Sequence, residues 1–344
     1  MTDNYAAAGV DIGAATRAKE LMAEAVRSTH SSAVLAGMGA FGGCFAVASA
    51  LHGLQHPVLV ASTDGVGTKT LVAAAMGQFG SVGQDLVNHC INDILVQGAR
   101  PLFFLDYVAS AKLDPVQVAA VVSGVAAACR AVGCALLGGE TAEMPQVYIA
   151  GAFDLAGTIV GVVDRDQMLP RAGIAPGDAI LALPSTGLHT NGYSLARRIV
   201  EHAYAATPGG PYRATPPELD GKSVGAALLA IHRCYLHEAE ILQTAAPLKA
   251  LAHITGGGLF DNLPRVLPPG LGATVQRGTW TAPPIFDLLC RLGNIPEAEA
   301  FHAFNMGLGM LAIVPADAVA GACAALPELR HIGTIRTGAG VQLV

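Results

Sequence analysis

Short apolar runs alternate with longer stretches of helical periodicity along the first half of the chain. Four runs predict buried strands, at residues 57–63, 101–109, 134–137 and 153–163. Apolar positions three and four residues apart predict helices at 81–98 and 115–132. Asp114 and Pro115 are typical of the cap and the first position of the second of these helices.

A polar, turn-rich segment at residues 164–177 is followed by a second half with the same kind of pattern. Strands are predicted there at 178–183, 251–254, 273–276 and 308–314, and helices at 193–204 and 223–244. The sequence therefore predicts an α/β protein with mixed, α+β-like sheets. It also predicts two domains, residues 1–168 and 175–344.

The composition first suggests a membrane protein, because only 13% of the 344 residues are charged and the mean hydropathy is +0.47. The apolar, uncharged stretch at residues 33–54, however, contains five glycines and few Leu or Ile. Such a stretch is typical of a glycine-rich loop rather than a membrane span. The N-terminus has neither the basic region nor the apolar core of a secretory signal. We therefore expect a cytoplasmic protein with no membrane partner.

Charge and cysteine usage narrow the function further. The formal net charge is −6 and Lys and Arg do not cluster, which argues against a nucleic-acid partner. The seven cysteines are an odd number and include no CxxC pair, so neither a disulfide framework nor a cysteine zinc site is expected. Reduced thiols fit the cytoplasm.

The segment STDGVGTK at residues 62–69 follows a predicted strand and carries the sharpest chemical signal. Gly65 and Gly67 allow the backbone to approach an anion, and Lys69 supplies a positive charge. Asp64 offers the kind of oxygen ligand that Mg²⁺ takes beside phosphates. The spacing is neither that of a Walker A loop nor that of the dinucleotide-binding GxGxxG. The alternative is an ordinary glycine turn with solvated charges.

Two further segments of the first half carry acidic groups. The helix at 81–98 has a polar face of Asp, Asn and His instead of the usual Lys and Glu: Asp85, Asn88, His89, Asn92 and Asp93. Glu140 and Glu143 follow a glycine pair after a predicted strand and can complete a metal site with Asp64 and Asp93. The alternatives are a solvated helix face, and a turn before a helix with acidic residues in its first turn.

In the second half, we expect Thr190 or Asn191 to cap the helix predicted at 193–204. His189 then lies in the loop before this helix. Such a histidine is a candidate acid–base group or phosphate contact. The segment TGGG at 255–258 lies between a predicted strand and a helix at 259–266, where backbone N–H groups can bind phosphate. The alternatives are an incidental histidine beside a capped helix and a plain glycine turn. We expect the remaining histidines to be structural.

Six motifs occur in order along the chain: ASTDGVGTK, NDILVQGARPLFFLDY, GGETAEMP, HTNGYSL, TGGG with NLPRVLP, and FNMGLGM. Together they resemble the phosphoribosylformylglycinamidine cyclo-ligases, also called aminoimidazole ribonucleotide synthetases. The resemblance extends over residues 5–344. Families that share the ATP-binding architecture, such as thiamine monophosphate kinases and selenophosphate synthetases, would match only part of this set.

The resemblance implies a fold, an assembly and a reaction. The fold has two α/β domains, the first of which forms a shared β-barrel in a homodimer, with the active site in the interdomain cleft. The implied cofactors are ATP and Mg²⁺. The implied reaction closes the imidazole ring of formylglycinamidine ribonucleotide in purine biosynthesis and releases ADP and phosphate. The alternatives are another ATP-dependent phosphoryl-transfer enzyme of the same architecture, such as a thiamine monophosphate kinase, and a non-catalytic ligand-binding module.

The resemblance also assigns roles to single residues. The metal ligands would be Asp64, Asp93 and Glu140. His189, Lys69 and Asn191 would act in catalysis, so Lys69→Ala is expected to lower turnover and leave the fold intact. Nucleotide or phosphate contacts would come from loop residues of both halves: Gly65, Gly67, Thr68, Lys69, Thr190, Thr255, Gly256, Gly257 and Gly258.

One position departs from the family pattern. The glycine-rich stretch at residues 37–43 resembles the family's mobile loop over the nucleotide, and the helix before it usually carries a lysine near the ATP site. The corresponding residue here is Ala23. Lys19, one turn earlier, or Arg27, one turn later, would have to replace that lysine.

Overall fold

The computed structural model describes residues 11–344, which divide into two compact units. One unit contains the described residues up to Ile94 together with residues 100–162. The other contains residues 95–99 and 163–344. Among the described residues, no helix is long and apolar enough to cross a membrane.

A four-stranded mixed sheet forms the frame of the first unit. Its strand order is β3-β6-β4-β5, and β4 runs antiparallel to β6 and parallel to β5. The short strands β1 and β2 pair separately and antiparallel. In chain order the elements are α1 (Ile12–Arg27), β1 (Val34–Ala36), β2 (Cys44–Phe45), α2 (Ala48–Leu51), β3 (Pro57–Gly65), α3 (Lys69–Met76), α4 (Gly80–Leu95), β4 (Arg100–Ser110), α5 (Pro115–Ala131), β5 (Ala135–Glu143) and β6 (Phe153–Asp164).

Helices α4 and α5 pack backbone to backbone because each carries a glycine at the contact. A Cβ on Gly83 would lie 2.1 Å from the carbonyl oxygen of Val121, and a Cβ on Gly124 would lie 2.0 Å from that of Gly80. No side chain fits at either position. The polar side chains Asp85, His89 and Asn92, on the opposite face of α4, are also buried, which excludes the alternative of a solvated helix face.

A six-stranded mixed sheet organises the second unit, in the order β12-β9-β11-β7-β10-β8. Its neighbouring strands are antiparallel except for the parallel pair β9 and β12. The elements are β7 (Ala179–Pro184), α6 (Tyr193–Ala203), α7 (Val224–Leu228), α8 (Leu236–Ala245), β8 (Ala250–His253), α9 (Gly258–Asn262), β9 (Leu271–Val275), α10 (Ile285–Gly293), α11 (Glu297–Ala303), β10 (Leu308–Val314), α12 (Val319–Ala325), β11 (Arg330–Thr337) and β12 (Gly340–Leu343).

The central strand β7 is apolar throughout because both faces of this sheet are covered. Leu181 and Leu183 point into one hydrophobic core, where they meet residues of α8 and α12. Ile180 and Ala182 point into the other core, with Leu259 from α9 among their neighbours. Successive side chains of a strand point to opposite faces, so a continuous apolar run is what a sheet buried on both sides requires.

Most of the predicted elements are confirmed. The predicted strands of both halves correspond to β3 to β10, and the two predicted helices of the first half correspond to α4 and α5. The Oδ1 atom of Asp114 accepts hydrogen bonds from the N–H groups of Val116 and Gln117 at 2.9 and 3.2 Å, which confirms the predicted cap.

Two predictions of secondary structure are wrong. The helix expected at 223–244 is interrupted between α7 and α8, where His232 and Tyr235 are buried instead of continuing a helix. The Tyr235 hydroxyl donates to the carbonyl oxygen of Pro184 at 2.8 Å, a tertiary contact that helical periodicity does not reveal. The segment GGETAE does not follow a strand, because β5 continues through it to Glu143.

Candidate active site

One histidine holds Asp64 and Asp93 close together in the first unit. Asp64 lies near the end of β3, and His89 and Asp93 lie one turn apart on α4. The Nε2 atom of His89 is 2.9 Å from Asp64 Oδ2 and 3.6 Å from Asp93 Oδ2. Ser62 Oγ donates to Asp93 Oδ2 at 3.2 Å, and the Gly65 N–H donates to Asp64 Oδ1 at 2.6 Å. The structure therefore brings together two of the three predicted metal ligands.

This acidic pair suits a hard divalent cation. The side chains of Asp64 and Asp93 are 44% and 26% exposed, whereas His89 is buried. Burial lowers the pKa of His89, but the hydrogen bond to Asp64 and the charges of Asp93, Asp64 and Asp85 outweigh it and raise the pKa above its usual value. Mg²⁺ is commonly held by one or two carboxylates together with substrate phosphates, so the two carboxylates fit this ion.

Lys69 is buried rather than presented to a ligand. Its Nζ atom lies 2.7 Å from Asp85 Oδ2, and both side chains are 0% exposed. Burial lowers the pKa of Lys69, and the charge and hydrogen bond of Asp85 oppose that shift. The ion pair joins the first residue of α3 to α4. This position differs from the phosphate contact that the resemblance implies, because the ammonium group is already paired inside the unit.

The remaining predicted phosphate contacts of this segment lie in the turn between β3 and α3. Gly67 adopts a left-handed backbone conformation with φ of 54°. Thr68 occupies the N-cap position of α3, and Thr70 Oγ1 donates to the Gly67 carbonyl at 3.2 Å. Gly65 is the last residue of β3, and its N–H donates to Asp64 Oδ1. Gly67 and Thr68 lie directly before an eight-residue helix, an arrangement in which backbone N–H groups can bind an anion.

Glu140 does not join the acidic pair. It lies in β5, and β5 and β3 are the two edges of the four-stranded sheet. At the usual spacing between strands, the two edges are roughly 14 Å apart. The structure therefore corrects the predicted three-carboxylate metal site. Chain order alone did not reveal that β6 and β4 separate the two strands.

Glu140 instead lines a cavity of about 910 Å³ in the first unit, which we call the glycine-loop cavity. The wall also includes Lys19 of α1 and Asp106 of β4. The glycine-rich segment 37–43 and residues 138–141 complete one side of it. Lys19 and Arg27 were the two candidates to replace the family lysine that is Ala23 here. Lys19 lines this cavity.

Asp106 is the unusual group in this cavity, and the sequence reading missed it. Burial raises its pKa to about 7, although a backbone hydrogen bond opposes the shift. Gly139 is paired with Asp106 across β4 and β5, and a Cβ there would lie 2.1 Å from Asp106 Oδ1. Only glycine leaves room for this carboxyl group. The available signal was one acidic residue inside the apolar run PLFFLDYVA.

His189 and its neighbours form a tight turn in the second unit. His189 has φ of 60°, and its Nε2 atom accepts the Thr186 N–H at 3.2 Å. Asn191 Nδ2 donates to Thr190 Oγ1 at 3.4 Å. Helix α6 begins after Gly192, which occupies the N-cap position. Neither Thr190 nor Asn191 is therefore the cap that the sequence predicted, although His189 does precede the helix.

The TGGG segment lies beside this turn. A Cβ on Gly256 would be 3.3 Å from Asn191 Oδ1, so the two motifs are in contact. The Asn262 amide nitrogen lies 3.3, 3.1 and 2.8 Å from the carbonyl oxygens of Thr255, Gly256 and Gly258. The Gly258 N–H is engaged by the Thr255 carbonyl, and α9 has only five residues. This helix end is therefore a weaker phosphate site than the sequence suggested.

A third motif supports the His189 turn. Asn305 Oδ1 accepts hydrogen bonds from Ser185 Oγ and the Gly307 N–H, each at 2.9 Å. Asn305 Nδ2 donates to the carbonyl oxygen of Gly187 at 2.9 Å. The buried amide thus connects the segment before β10 to the loop that carries His189. The motif FNMGLGM accordingly has a structural role in the second unit.

Two buried histidines beside His189 were expected to be merely structural and were not singled out. His232 stacks on His189, with ring centroids 4.0 Å apart and an interplanar angle of 17°. The Nε2 atoms of His232 and His253 are 3.1 Å apart. His253 lies two residues before the TGGG segment, which is a usable signal. His232 fell inside the helix predicted at 223–244 and had none.

Both α/β units match domains of one known class of proteins. Residues 46–163 match the N-terminal domain of AIR synthase related proteins, and residues 175–344 match the C-terminal domain. The two matches together cover most of the chain.

Comparison with curated proteins gives the family within this class. The chain is 44% identical to the phosphoribosylformylglycinamidine cyclo-ligase of Alkaliphilus oremlandii, over 98% of both chains. It is 48% identical to the same enzyme of Desulfitobacterium hafniense strain DSM 10664 / DCB-2, over 91% of this chain and 90% of the relative. The chain belongs to the phosphoribosylformylglycinamidine cyclo-ligase family.

Solved structures support the fold independently. Thiamine-monophosphate kinase from Stenotrophomonas maltophilia K279a has a TM-score of 0.67 at 20% identity, covering 94% of this chain and 95% of that one. The hydrogenase maturation protein HypE, solved in complex with ATP, has a TM-score of 0.62 at 17% identity, covering 92% and 86%. At these identities the similarity establishes a shared architecture.

Proposed function

We propose that this chain catalyses the ATP-dependent ring closure of formylglycinamidine ribonucleotide to aminoimidazole ribonucleotide, with release of ADP and phosphate. The observation that carries the proposal is 44% identity over 98% of both chains to a protein named for this reaction. The ATP-bound structure of HypE, which shares the architecture, supports the use of ATP.

The chemistry proceeds in two steps. The formyl oxygen of the substrate first takes the γ-phosphoryl group of ATP, which converts a poor leaving group into phosphate. The amidine nitrogen of the same molecule then attacks the formyl carbon, the C–O bond to phosphate breaks, and the nitrogen loses a proton. Because nucleophile and electrophile belong to one molecule, correct positioning supplies much of the acceleration. Stabilisation of the transferring phosphoryl charge supplies the rest.

Asp64 and Asp93 are proposed to hold Mg²⁺, which neutralises phosphate charge when bound. His89 positions both carboxylates through its Nε2 atom. Backbone N–H groups of Gly67 and Thr68 are proposed as phosphate contacts at the start of α3, whereas the N–H of Gly65 already donates to Asp64 Oδ1. Lys69 is proposed as a positioning residue, since its ion pair with Asp85 fixes α3 against α4.

The glycine-loop cavity is proposed as the nucleotide site. Its volume of about 910 Å³ lies within the range of roughly 300–1,000 Å³ that is usual for small-ligand pockets. Lys19 supplies a cation there, and Asp106 and Glu140 supply groups that can accept hydrogen bonds from amino groups. These residues lie on three different elements, so ligand binding would order the loop 37–43 against them.

In the second unit, His189 and Asn191 are proposed to contact the formylglycinamidine substrate. Thr190 and the segment Thr255–Gly258, including Gly257, are proposed to contact its phosphate or that of the nucleotide. The contact between Asn191 and Gly256 supports this grouping, because it places the two motifs side by side.

A homodimer is proposed through the first unit. The edge strand β3 is mostly exposed although its sequence begins PVLVA, and Leu59 is 63% exposed. An open apolar edge strand is a template on which another chain can pair. A second copy of this chain, pairing along β3 in a shared barrel, would cover this edge.

The deciding experiment is incubation with formylglycinamidine ribonucleotide, ATP and Mg²⁺, followed by detection of aminoimidazole ribonucleotide. We expect product and ADP in equal amounts. Thiamine monophosphate serves as the competing phosphoryl acceptor in a parallel reaction. Absence of the imidazole product, or phosphorylation of thiamine monophosphate, would show that the assignment is wrong. Asp64→Asn is the control variant that separates this turnover from a contaminating ATPase.

A further inference from the structure

Three buried imidazoles meet in the second unit, and we call them the histidine cluster: His189, His232 and His253. They are 1%, 0% and 6% exposed. One ring nitrogen of each lies within 4.8 Å of one ring nitrogen of the other two. The imidazoles come from three separate segments, the turn before α6, the break between α7 and α8, and the end of β8. The fold, rather than a local sequence repeat, brings them together.

The spacing of two of these imidazoles is that of ligands on a single metal ion. The Nε2 atoms of His232 and His253 are 3.1 Å apart. Two imidazole nitrogens bound to one tetrahedral Zn²⁺ at about 2.0–2.1 Å are separated by about 3.3 Å. The pair therefore needs almost no movement to accept an ion. His189 is stacked on His232 at a centroid distance of 4.0 Å and an interplanar angle of 17°, so its ring must turn out of the stack to supply the third nitrogen.

The surroundings of His232 match those of a metal-bound histidine. Its Nδ1 atom lies 3.3 Å from Thr190 Oγ1, which can accept the remaining ring proton. Histidines that bind a metal through one nitrogen usually donate the other N–H to an oxygen, and this contact fixes the tautomer. Thr190 therefore orients the Nε2 lone pair of His232 toward His253.

His189 is the ligand that must change most. Its Nε2 atom accepts the Thr186 N–H at 3.2 Å. Metal binding through either nitrogen breaks this hydrogen bond. An ion on Nε2 takes the place of the Thr186 N–H, and an ion on Nδ1 leaves the ring proton on Nε2, which then cannot accept. His232 and His253 are therefore the primary ligands, and His189 completes the site.

We propose that the histidine cluster binds one first-row transition-metal ion of the Zn²⁺ type. Three imidazoles leave a fourth coordination position for water or another ligand, as in three-histidine zinc sites. Imidazole donors select Zn²⁺ and its neighbours over Mg²⁺, which prefers oxygen. The nitrogen donors of the cluster differ from the carboxylate oxygens of Asp64 and Asp93. His189 and Thr190 are also proposed to contact the substrate or its phosphate, so the test measures metal binding without turnover.

The test uses Co²⁺, which replaces Zn²⁺ and absorbs visible light in a four-coordinate site. The full-length protein is treated with EDTA, exchanged into buffer with excess Mg²⁺ to occupy oxygen sites, and titrated with Co²⁺. We expect visible d–d bands that saturate at one equivalent and disappear when Zn²⁺ is added. A lack of saturable binding, or a near-ultraviolet thiolate-to-metal band that indicates cysteine ligands, would overturn the proposal.

Variants locate the ion. His232→Gln should abolish the bands, and His189→Gln should weaken Co²⁺ binding at least tenfold because it removes one of three ligands. His237→Gln is the matched control, since His237 is exposed on α8 and lies outside the cluster. If His232→Gln fails to fold, as judged by circular dichroism, His253→Gln serves in its place. Retention of the full spectrum in the folded His232 or His253 variant would refute the site.

Discussion

The buried pair of Lys69 and Asp85 leads to a prediction about stability. Lys69→Met keeps the length and most of the volume of the side chain but removes its charge. Asp85 then remains 0% exposed without its cationic partner. The sequence had led us to expect that loss of the Lys69 charge affects turnover and leaves the fold intact. The structure leads us to expect a strongly destabilised first unit.

The magnitude follows from the geometry. At 2.7 Å and an effective dielectric constant of about 20, the attraction between the two charges is about 6 kcal/mol. Desolvation of both groups offsets much of this attraction, so the pair itself adds little net stability. Removing one partner leaves the desolvation cost of the other, about 3–5 kcal/mol. That loss is a large part of the 5–15 kcal/mol that is typical of a whole protein.

The assay is urea unfolding followed by far-ultraviolet circular dichroism, with wild type, Lys69→Met and the double variant Lys69→Met/Asp85→Val compared. We expect the single variant to lose about 3–5 kcal/mol and the double variant to recover most of it, because both charges are then gone. A single variant within about 1 kcal/mol of wild type would refute the reasoning. So would a double variant that is no more stable than the single one.

Three further predictions concern other parts of the molecule. Asp64→Asn should lower the rate of aminoimidazole ribonucleotide formation at saturating Mg²⁺ by about a hundredfold or more, because charge stabilisation of the phosphoryl group is lost. The control variant Asp166→Asn, at an exposed residue, should leave this rate unchanged. Burial raises the pKa of Asp106 in the folded protein to about 7, so the folded state of wild type is most stable when this carboxyl group is protonated. The free energy of unfolding of wild type should therefore fall by up to about 1.4 kcal/mol per pH unit between pH 5 and 7, and Asp106→Asn should remove this dependence. Parallel pH dependences for the two proteins in urea titrations at pH 5, 6 and 7 would contradict this. Asn262→Ala should cost about 1–3 kcal/mol in the same urea assay, because the carbonyl oxygens of Gly256 and Gly258 lose their buried donor; an unchanged midpoint would show that water replaces the amide.

The sequence predicts best where one local rule is sufficient. The α5 cap at Asp114 needs only a side-chain oxygen before a helix, and the structure has it. Strand β7 needs only an apolar run, since both of its faces are buried. The break between α7 and α8 depends instead on Tyr235 reaching the carbonyl oxygen of Pro184, about fifty residues earlier. No periodicity in the segment itself encodes that contact.

The residues of the candidate site also fall into those that local sequence rules predict and those that depend on contacts between distant segments. Asp64 and Asp93 were found because acidic and polar residues stand out at a strand end and on a helix face, and one histidine joins them. The grouping of Glu140 with them failed because it depended on strand order, which pairing across the sheet decides. Asp106 and His232 were missed because each lies in a segment whose neighbours suggest ordinary core or helix.

Several of the few charged residues of this chain form ion pairs on or with helix α4. Asp85 and His89 are buried on the face of α4 opposite its glycine contact with α5, and buried charges must find internal partners because water cannot solvate them. Lys69 pairs with Asp85, and His89 pairs with Asp64 and Asp93. In a chain with 13% charged residues, several charges are therefore committed to this one helix. Replacing Gly83 or Gly124 by alanine should push α4 away from α5. The contacts of His89 with Asp64 and Asp93 should then be disturbed as well as the helix packing, since both depend on where α4 lies.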